Sequence, residues 1–174
     1  MKIINNMKKP SIGTWLTIYS EAIAEILCNS GYEWITIDLE HTPITLSQAE
    51  KLIRVIDLKG VKPFVRVSSN NEAEIKKVLD FGARGVIVPM VNNVTDVKKA
   101  IAYSFYPPIG KRGMGLYRAQ GYGDEEMKME YIKSTSRDIE LFVNIPFVVI
   151  FQLQHYLNEL IIHQFAYVNH SLRQ

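Results

Sequence analysis

The sequence lacks three features that would each point to a particular class of protein. Its only cysteine is Cys28, which excludes an internal disulfide framework and favours a reducing compartment. Its longest apolar run, 145–151, is strand-sized and well short of the roughly 20 residues that cross a membrane. Its net charge is only +2, and the lysines and arginines are scattered. We therefore expect neither nucleic acid nor an anionic membrane as a partner.

The amino-terminal residues 1–10 also lack the apolar central region of a secretory signal peptide. Together with the single cysteine, this predicts a cytoplasmic protein. What the sequence does contain is ordinary for a globular domain, with 47% hydrophobic and 22% charged residues in 174. A chain of this length can bury a real hydrophobic core.

The chain is organised around the segment 34–41, which reads Trp-Ile-Thr-Ile-Asp-Leu-Glu-His. Its first five residues are mostly β-branched or aromatic and predict a buried strand. Asp38, Glu40 and His41 then follow within four residues, and Pro43 ends the extended segment. Because sites in α/β proteins form at the carboxyl ends of strands, these three residues are candidate functional groups. The other interpretation is a capping loop that contains a satisfied histidine.

Strand and helix patterns alternate along the chain with a period of about 25 residues, which is typical of βαβ units around a parallel sheet. The predicted strands are 12–16, 34–38, 63–67, 85–89 and 139–143. The first and last predicted helices cover 21–29 and 124–134. Two others are predicted to follow a capping box of Ser47 with Glu50 and a cap formed by Asn71 with Glu74. A further helix is predicted to start at Thr95.

The segment 106–123 interrupts this alternation, because it contains two prolines and five glycines. Such a composition excludes a helix or a central strand, and a loop of this length inside a compact domain is usually functional. Arg112 and Arg118 are its candidate contacts for an anionic substrate or a second subunit. A P-loop is excluded because the Lys-Ser/Thr ending is missing. The alternative is a plain surface connection.

Several short motifs, in this order, resemble the HpcH/HpaI aldolase and citrate lyase family of metal-dependent 2-oxo-acid aldolases. The matching residues are Gly13-Thr14-Trp15, Ile37-Asp38-Leu39-Glu40-His41, Val65-Arg66, Val88-Pro89-Met90-Val91, Tyr106-Pro107-Pro108, Gly110-Lys111-Arg112-Gly113 and Arg118-Ala119. The resemblance implies an α/β fold of the parallel (β/α) TIM-barrel type. About five to six of its eight βα units would lie in residues 1–145, followed by a divergent apolar and histidine-containing tail over 146–174.

The resemblance also implies a role for each residue of the candidate site. His41 would be the base that removes the hydroxyl proton of the aldol, and Asp38 would orient it. Arg66 would bind the keto oxygen of pyruvate and stabilise the enolate, although from chemistry alone it could be a salt bridge at a barrel rim. Glu40 would stand behind the groups that touch the substrate.

A divalent metal, Mg²⁺ or Mn²⁺, is the cofactor that the resemblance implies. The family's glutamate ligand falls on Pro146 in an ungapped count and on Gln154 if an insertion is allowed, and neither residue supplies a carboxylate. The aspartate ligand would fall at or past the last residue. We therefore expect no intact metal site and little turnover by the isolated chain.

The leading functional hypothesis is an aldolase that cleaves 4-hydroxy-2-oxo acids to pyruvate and an aldehyde. One alternative is a non-catalytic truncated barrel that serves as an oligomerising or binding remnant. Another is a thioester-cleaving enzyme of the citrate lyase kind. The expected partners are the small-molecule 2-oxo acid and aldehyde, together with further copies of the chain in a homo-oligomer.

Overall fold

The computed structural model describes residues 10–144, apart from the side chains of 134–137. The strands are β1 (Gly13–Leu16), β2 (Trp34–Asp38), β3 (Lys62–Arg66), β4 (Gly85–Val88) and β5 (Glu140–Val143). The helices are α1 (Glu21–Cys28), α2 (Leu46–Leu58), α3 (Glu72–Asp80), α4 (Val94–Ser104) and α5 (Glu125–Asp138), and a 3₁₀ segment covers Arg118–Gly123. The predicted alternation of strands and helices is confirmed.

The five strands form one parallel sheet in the order β1-β2-β3-β4-β5, so each strand pairs with its neighbours in sequence. A doubly wound sheet would reverse its strand order at an internal point. An unreversed order is the winding of a (β/α) barrel. The prediction of an incomplete TIM-barrel fold is therefore confirmed, since the sheet formed by the described residues does not close.

The two faces of the sheet differ in burial. One face, which we call the outer face, carries Ile35, Ile37, Val65, Val86 and Val88, all fully buried in the core with the apolar stripes of the helices. The opposite, inner face would line the interior of a closed barrel. Apolar residues on the outer face anchor the strands, so the inner face is left to carry polar groups at the strand ends.

An aromatic stack occupies the inner face below the candidate site. Phe64 lies 5.7 Å from Trp34 and 5.3 Å from Phe142, measured between ring centroids. Gly85 on β4 makes the second contact possible, because a Cβ there would come within 2.8 Å of the Phe64 ring. A Cβ at Gly13 would likewise overlap the Trp34 ring. The absence of a side chain at these two glycines therefore leaves the space that the aromatic rings occupy.

Some predicted helix starts need correction. The N-cap of α2 is Thr45, whose side chain accepts from the Gln48 N–H in a reciprocal capping box, so the predicted box of Ser47 with Glu50 is wrong by two residues. Helix α4 starts one residue before Thr95, capped by Asn93. Asn71 does cap α3, but the Glu74 side chain accepts from Ser68 instead of completing a box. In α2 and α4, therefore, a nearby side chain of similar capping ability takes the place of the predicted one.

Two further sequence features can be placed. Cys28 is half-buried at the end of α1 and packs against the core, and burial raises the pKa of its thiol. Among residues 10–144, no helix is both long and apolar enough to cross a membrane. The predicted tail over 146–174 lies outside the described residues.

Candidate functional site

Asp38 and Arg66 meet at the carboxyl ends of β2 and β3, where they are direct partners in the sheet register. Arg66 Nε donates to Asp38 Oδ1 at 2.8 Å and Nη2 donates to Oδ2 at 2.7 Å. The two side chains are only 3% and 17% exposed, respectively. This is the bidentate geometry in which a guanidinium and a carboxylate bind most specifically. The pair forms the centre of the candidate site.

Both groups of this pair are held in their charged forms. Burial by itself would raise the pKa of the Asp38 carboxyl. The hydrogen bonds from Arg66 and from two backbone N–H groups, together with the positive charge of Arg66, outweigh burial. The pKa of Asp38 is therefore lowered below its usual value. The hydrogen bond to Asp38 is the main reason why the pKa of Arg66 is raised. A permanent cation is therefore fixed at the end of β3.

The chain turns sharply after β2, and Asp38 organises the turn. Its Oδ1 accepts from the backbone N–H groups of Glu40 at 3.0 Å and His41 at 3.4 Å. Thr42 Oγ1 donates to the Asp38 carbonyl and accepts from the Ile44 N–H at 3.2 Å. Aspartate and threonine commonly stabilise turns through such local bonds. The turn places Glu40 and His41 beside Arg66.

Glu40 lies between the arginine and the histidine. Its Oε2 is 3.3 Å from Arg66 Nη1 and 3.5 Å from His41 Nε2. That oxygen is buried and accepts no hydrogen bond from the described residues, while the His41 side chain is 67% exposed. The carboxylate beside the imidazole ring is thus that of Glu40, and Asp38 reaches His41 through its backbone N–H.

Arg66 keeps donor capacity for a ligand. A guanidinium has five N–H groups, and two of them bond to Asp38. A third contact joins Arg66 Nη1 to Glu40 Oε2 at 3.3 Å, and no further hydrogen bond or ion pair joins this guanidinium to a residue within 10–144. One face of the group lies 4.7 Å from the centroid of the Trp15 ring on β1. The unused N–H groups can therefore bind an oxygen anion without breaking the pair with Asp38.

The charge of this cluster restricts what it can bind alone. Asp38 and Glu40 together outweigh Arg66 by one negative charge when His41 is neutral. A second cation would favour an anionic ligand here, and a divalent metal would supply it. Within residues 10–144, however, no group of three or more His, Cys, Asp or Glu could hold a metal ion. Positions Pro146 and Gln154, on which the family's glutamate ligand falls, lie outside the described residues.

Arg112 and Arg118 lie elsewhere. Arg112 Nη2 donates to Asp80 Oδ1 at 2.6 Å, and Arg118 Nη2 donates to Asp57 Oδ2 at 2.5 Å. Asp57 and Asp80 lie in the last turns of α2 and α3, and helices in βα units run back toward the starts of the strands. The structure therefore does not bring these arginines to the strand ends that carry Asp38 and Arg66.

A cleft of about 340 Å³ lies at that opposite end of the sheet. Asp57, Arg84, Arg118 and Tyr122 are among the residues that line it. Arg84 and Arg118 both bind Asp57, at 3.4 and 2.5 Å, so the cleft has no cluster of unpaired cations. It is not the site that the sequence indicates.

Comparison with characterised proteins shows which proteins this chain is similar to. The chain is 39% identical over 120 residues to a 2-keto-3-deoxy-L-rhamnonate aldolase of Klebsiella pneumoniae, which covers 68% of this chain and 45% of the relative. It is 37% identical over 113 residues to a 2-dehydro-3,6-dideoxy-6-sulfogluconate aldolase of Pseudomonas putida, which covers 64% and 44%. The chain therefore spans somewhat less than half the length of these relatives.

Solved structures of two other proteins also superpose on most of this chain. An HpcH/HpaI aldolase from Desulfitobacterium hafniense superposes with a TM-score of 0.73 at 25% identity, over 82% of this chain and 55% of that one. A family protein from Burkholderia cenocepacia superposes with a TM-score of 0.71 at 30% identity, over 78% and 54%. The family model described as HpcH/HpaI aldolase/citrate lyase matches residues 11–153, most of the sequence. The chain therefore belongs to the HpcH/HpaI aldolase/citrate lyase family.

Proposed function

We propose that this chain carries the part of an aldolase site that binds the 2-oxo-acid end of a 4-hydroxy-2-oxo acid. The reaction class is carbon–carbon bond cleavage to pyruvate and an aldehyde. The observation that carries the proposal is the Arg66 guanidinium, which Asp38 holds by two bonds and Glu40 approaches at 3.3 Å, while it keeps further N–H groups for a ligand. Two relatives named as aldolases of keto-deoxy sugar acids support the same substrate class.

Arg66 is proposed to bind the oxygen at C2 of the substrate. Cleavage of the bond between C3 and C4 leaves its electron pair on the three-carbon fragment, and this pair becomes an enolate whose charge develops at that oxygen. A fixed cation with free N–H donors stabilises such a charge more in the transition state than in the ground state. Because Arg66 is already held by Asp38, it need not reorganise during the reaction.

His41 is proposed to be the base. It takes the proton of the C4 hydroxyl, the C3–C4 bond breaks, and the aldehyde departs. A proton is then delivered to C3 of the enolate, which yields pyruvate. Histidine suits this task because its charge changes near neutral pH. Its high exposure leaves the ring accessible, while Asp38 holds the backbone of the turn and Glu40 lies next to the ring.

A divalent metal is proposed as the cofactor of the whole family site, from the resemblance and not from a ligand set in this chain. No step above depends on it, because the described residues do not supply its ligands. The proposed partners are a small 2-oxo acid and an aldehyde. Assembly as a homo-oligomer stays a prediction.

Pyruvate titration with the full chain tests the proposal, with and without Mg²⁺ and followed by calorimetry. Arg66→Lys keeps the charge but loses the planar fork. We therefore expect its pyruvate affinity to fall about tenfold, the value of one charge-assisted hydrogen bond. His41→Ala should bind pyruvate within about threefold of wild type, because pyruvate has no C4 hydroxyl for the base to contact.

Arg54→Met is the matched control, since Arg54 also pairs with a carboxylate but lies exposed on α2. It should leave pyruvate binding unchanged. Absence of pyruvate binding by the wild-type chain, with or without Mg²⁺, would overturn the proposal. Equal binding by Arg66→Lys and wild type would remove Arg66 from the site.

A further inference from the structure

The cleft at the opposite end of the sheet has no part in the proposed function. Its volume of about 340 Å³ lies within the roughly 300–1,000 Å³ of pockets that bind small molecules. Two cations and two anions line it, namely Arg84, Arg118, Asp57 and Asp138. These four side chains differ in how far their contacts with the protein satisfy them, and the difference indicates what the cleft can bind.

Asp57 and Arg118 form the satisfied half of this charge set. Arg118 Nη2 donates to Asp57 Oδ2 at 2.5 Å, and Nη1 donates to the Phe81 carbonyl at 3.2 Å. Arg84 reaches Asp57 only through Nε at 3.4 Å, which is longer than most hydrogen bonds. The Arg84 side chain is 48% exposed, and its Nη groups make no hydrogen bond within residues 10–144. Arg84 therefore keeps two N–H-bearing nitrogens for an oxygen anion.

Asp138 is the anion that Asp57 does not neutralise in the cleft. It is exposed and makes no hydrogen bond or ion pair with the part of the chain that the structure describes. The Glu140 N–H donates to the Arg84 carbonyl at 2.9 Å, so Asp138 and Arg84 lie where neighbouring strands begin. A simple anion would be attracted by Arg84 and repelled by Asp138. A ligand that carries both charges uses both groups.

The uncharged lining of the cleft suits a flat apolar group. Small residues leave room along it, namely Gly82, Ala83, Ala119 and Gly121. Tyr122 lines it as well, with its side chain 61% exposed and its backbone at a φ of 54°. A bulky residue rarely adopts this left-handed conformation, and such strain is often found at functional sites. The Tyr122 ring stands edge-on to Tyr117, with 5.7 Å between centroids, and its exposed surface is available to a ligand.

We propose that this cleft binds a free α-amino acid with an aromatic side chain. The carboxylate of the amino acid binds the Nη groups of Arg84, its ammonium group binds Asp138, and its ring lies against Tyr122. The inference is independent of the proposed function, because the cleft and the candidate site lie at opposite ends of the sheet.

Calorimetric titration of the full chain with L-phenylalanine and two analogues tests the inference. Phenylacetate lacks the ammonium group, and phenethylamine lacks the carboxylate. Each analogue should bind about tenfold more weakly than phenylalanine, the value of one charge-assisted hydrogen bond. Absence of saturable phenylalanine binding would overturn the inference, as would equal affinities for all three compounds.

Two variants assign the charges to their partners. Asp138→Asn should bind phenylalanine no more tightly than phenylacetate, because the ammonium group has lost its anion. Arg84→Met should bind phenylalanine no more tightly than phenethylamine, and Arg118 still pairs with Asp57 in this variant. Wild-type selectivity among the three compounds in either variant would refute the assignment of that charge and with it the proposed site.

A third variant tests the aromatic wall. Asparagine tolerates the left-handed backbone, so Tyr122→Asn removes the ring without adding strain. It should weaken the binding of phenylalanine and of both analogues by a similar factor, because all three carry the ring. Unchanged binding of all three would exclude Tyr122 and the proposed orientation of the ligand.

Two controls separate this cleft from other cationic places on the chain. Arg54→Met removes an exposed arginine that pairs with a carboxylate on α2, and it should bind phenylalanine as wild type does. Arg66→Lys should also bind phenylalanine as wild type does, whether or not the chain binds pyruvate. Loss of phenylalanine binding in Arg66→Lys would place the amino acid at the candidate site and overturn the inference.

Discussion

Asp38 has two tasks at once, and its neighbours show why a carboxylate is required. It holds Arg66 through two hydrogen bonds, accepts two backbone N–H groups of the following turn, and is itself only 2% exposed. A buried charge is tolerated only when it is paired and hydrogen-bonded. The residue that orders the turn to His41 is thus the one that fixes Arg66, the arginine proposed to bind the substrate.

Asp38→Asn should destabilise the fold in a pH-dependent way. The pKa of Asp38 is lowered in the fold, so its stabilising effect is present above the ordinary carboxyl value of about 3.9 and is lost as pH falls through the lower folded value. We expect a loss of about 3 kcal/mol at pH 7, as for other broken buried pairs. Urea unfolding at pH 7, 5 and 3 measures the difference, which should shrink only at the lowest pH.

Glu126→Gln provides the control, because Glu126 lies exposed in the first turn of α5. It should change the unfolding free energy by no more than about 0.5 kcal/mol. A difference between Asp38→Asn and wild type that stays constant from pH 7 to pH 3 would mean that Asp38 is not charged in the fold.

At the scale of the elements, helix α2 shows how side chains compete for a helix start. Thr45 and Ser47 are both good caps, and each is followed three residues later by Gln or Glu. The structure uses Thr45, because its reciprocal bonds with Gln48 satisfy two backbone N–H groups. The face of α2 that packs on the sheet carries Ala49, Leu52, Ile53 and Ile56, all fully buried.

Thr45→Ala should therefore cost about 1 kcal/mol of unfolding free energy, the usual value of an N-cap. Ser47→Ala, inside the first turn, should have no measurable cost, because alanine is the better helix former. Thermal or urea unfolding of the two variants compares them directly. The opposite ranking would restore the predicted Ser47 cap.

The long connection between β4 and β5 is fastened by Arg112. Its guanidinium is fully buried, bonds Asp80 at 2.6 Å and the Tyr131 hydroxyl at 3.1 Å, and lies 4.8 Å from the centroid of the Tyr106 ring. Burial lowers the pKa of Arg112, but the two tyrosines and Asp80 outweigh burial, and the pKa is raised overall. One arginine thus joins the loop, α5 and the end of α3.

Arg112→Met should lower the unfolding free energy by about 3 kcal/mol, because it leaves Asp80 without its closest cation in a partly buried place. The exposed pair of Arg54 with Glu50 is the comparison, and Arg54→Met should cost no more than about 0.5 kcal/mol. Urea unfolding of the two variants measures both losses of unfolding free energy. Similar small losses in both variants would show that the loop is not fastened through Arg112.

At the scale of the whole molecule, the described sheet is an open segment of a barrel with a layered inner face. Lys62 and Glu140 form an ion pair of 2.7 Å where the strands begin, the aromatic stack lies in the middle, and the site lies where the strands end. The helices cover the outer face, and Asp38 pairs with Arg66 although the five strands of residues 10–144 do not close a barrel. Ligand binding should therefore be linked to global unfolding.

Pyruvate should raise the melting temperature of the full chain if the site forms as described. Ligand at about 100 times its dissociation constant adds roughly 2.7 kcal/mol by mass action. A thermal melt with pyruvate, alone and with Mg²⁺ or Mn²⁺, measures this shift. Arg66→Lys should show a smaller shift at the same pyruvate concentration. Equal shifts in both proteins would place binding away from Arg66.

The sequence by itself determined the alternation of elements, the buried faces of the helices and the strand that ends at Asp38. These features depend on local periodicity, two residues in a strand and 3.6 in a helix, which any reader of the chain can count. The family resemblance also identified Asp38, Glu40, His41 and Arg66 as one set, and the structure brings these residues together, while their proposed roles stay predictions.

Only the tertiary structure decided which of these side chains touch. The contact of Trp15 with Arg66, the position of Glu40 beside the His41 ring, and the placement of Arg112 and Arg118 on Asp80 and Asp57 all depend on contacts between separate elements. Strand register and the packing of loops on helices are set by the whole fold, since a shift of one residue moves every side chain to the other face.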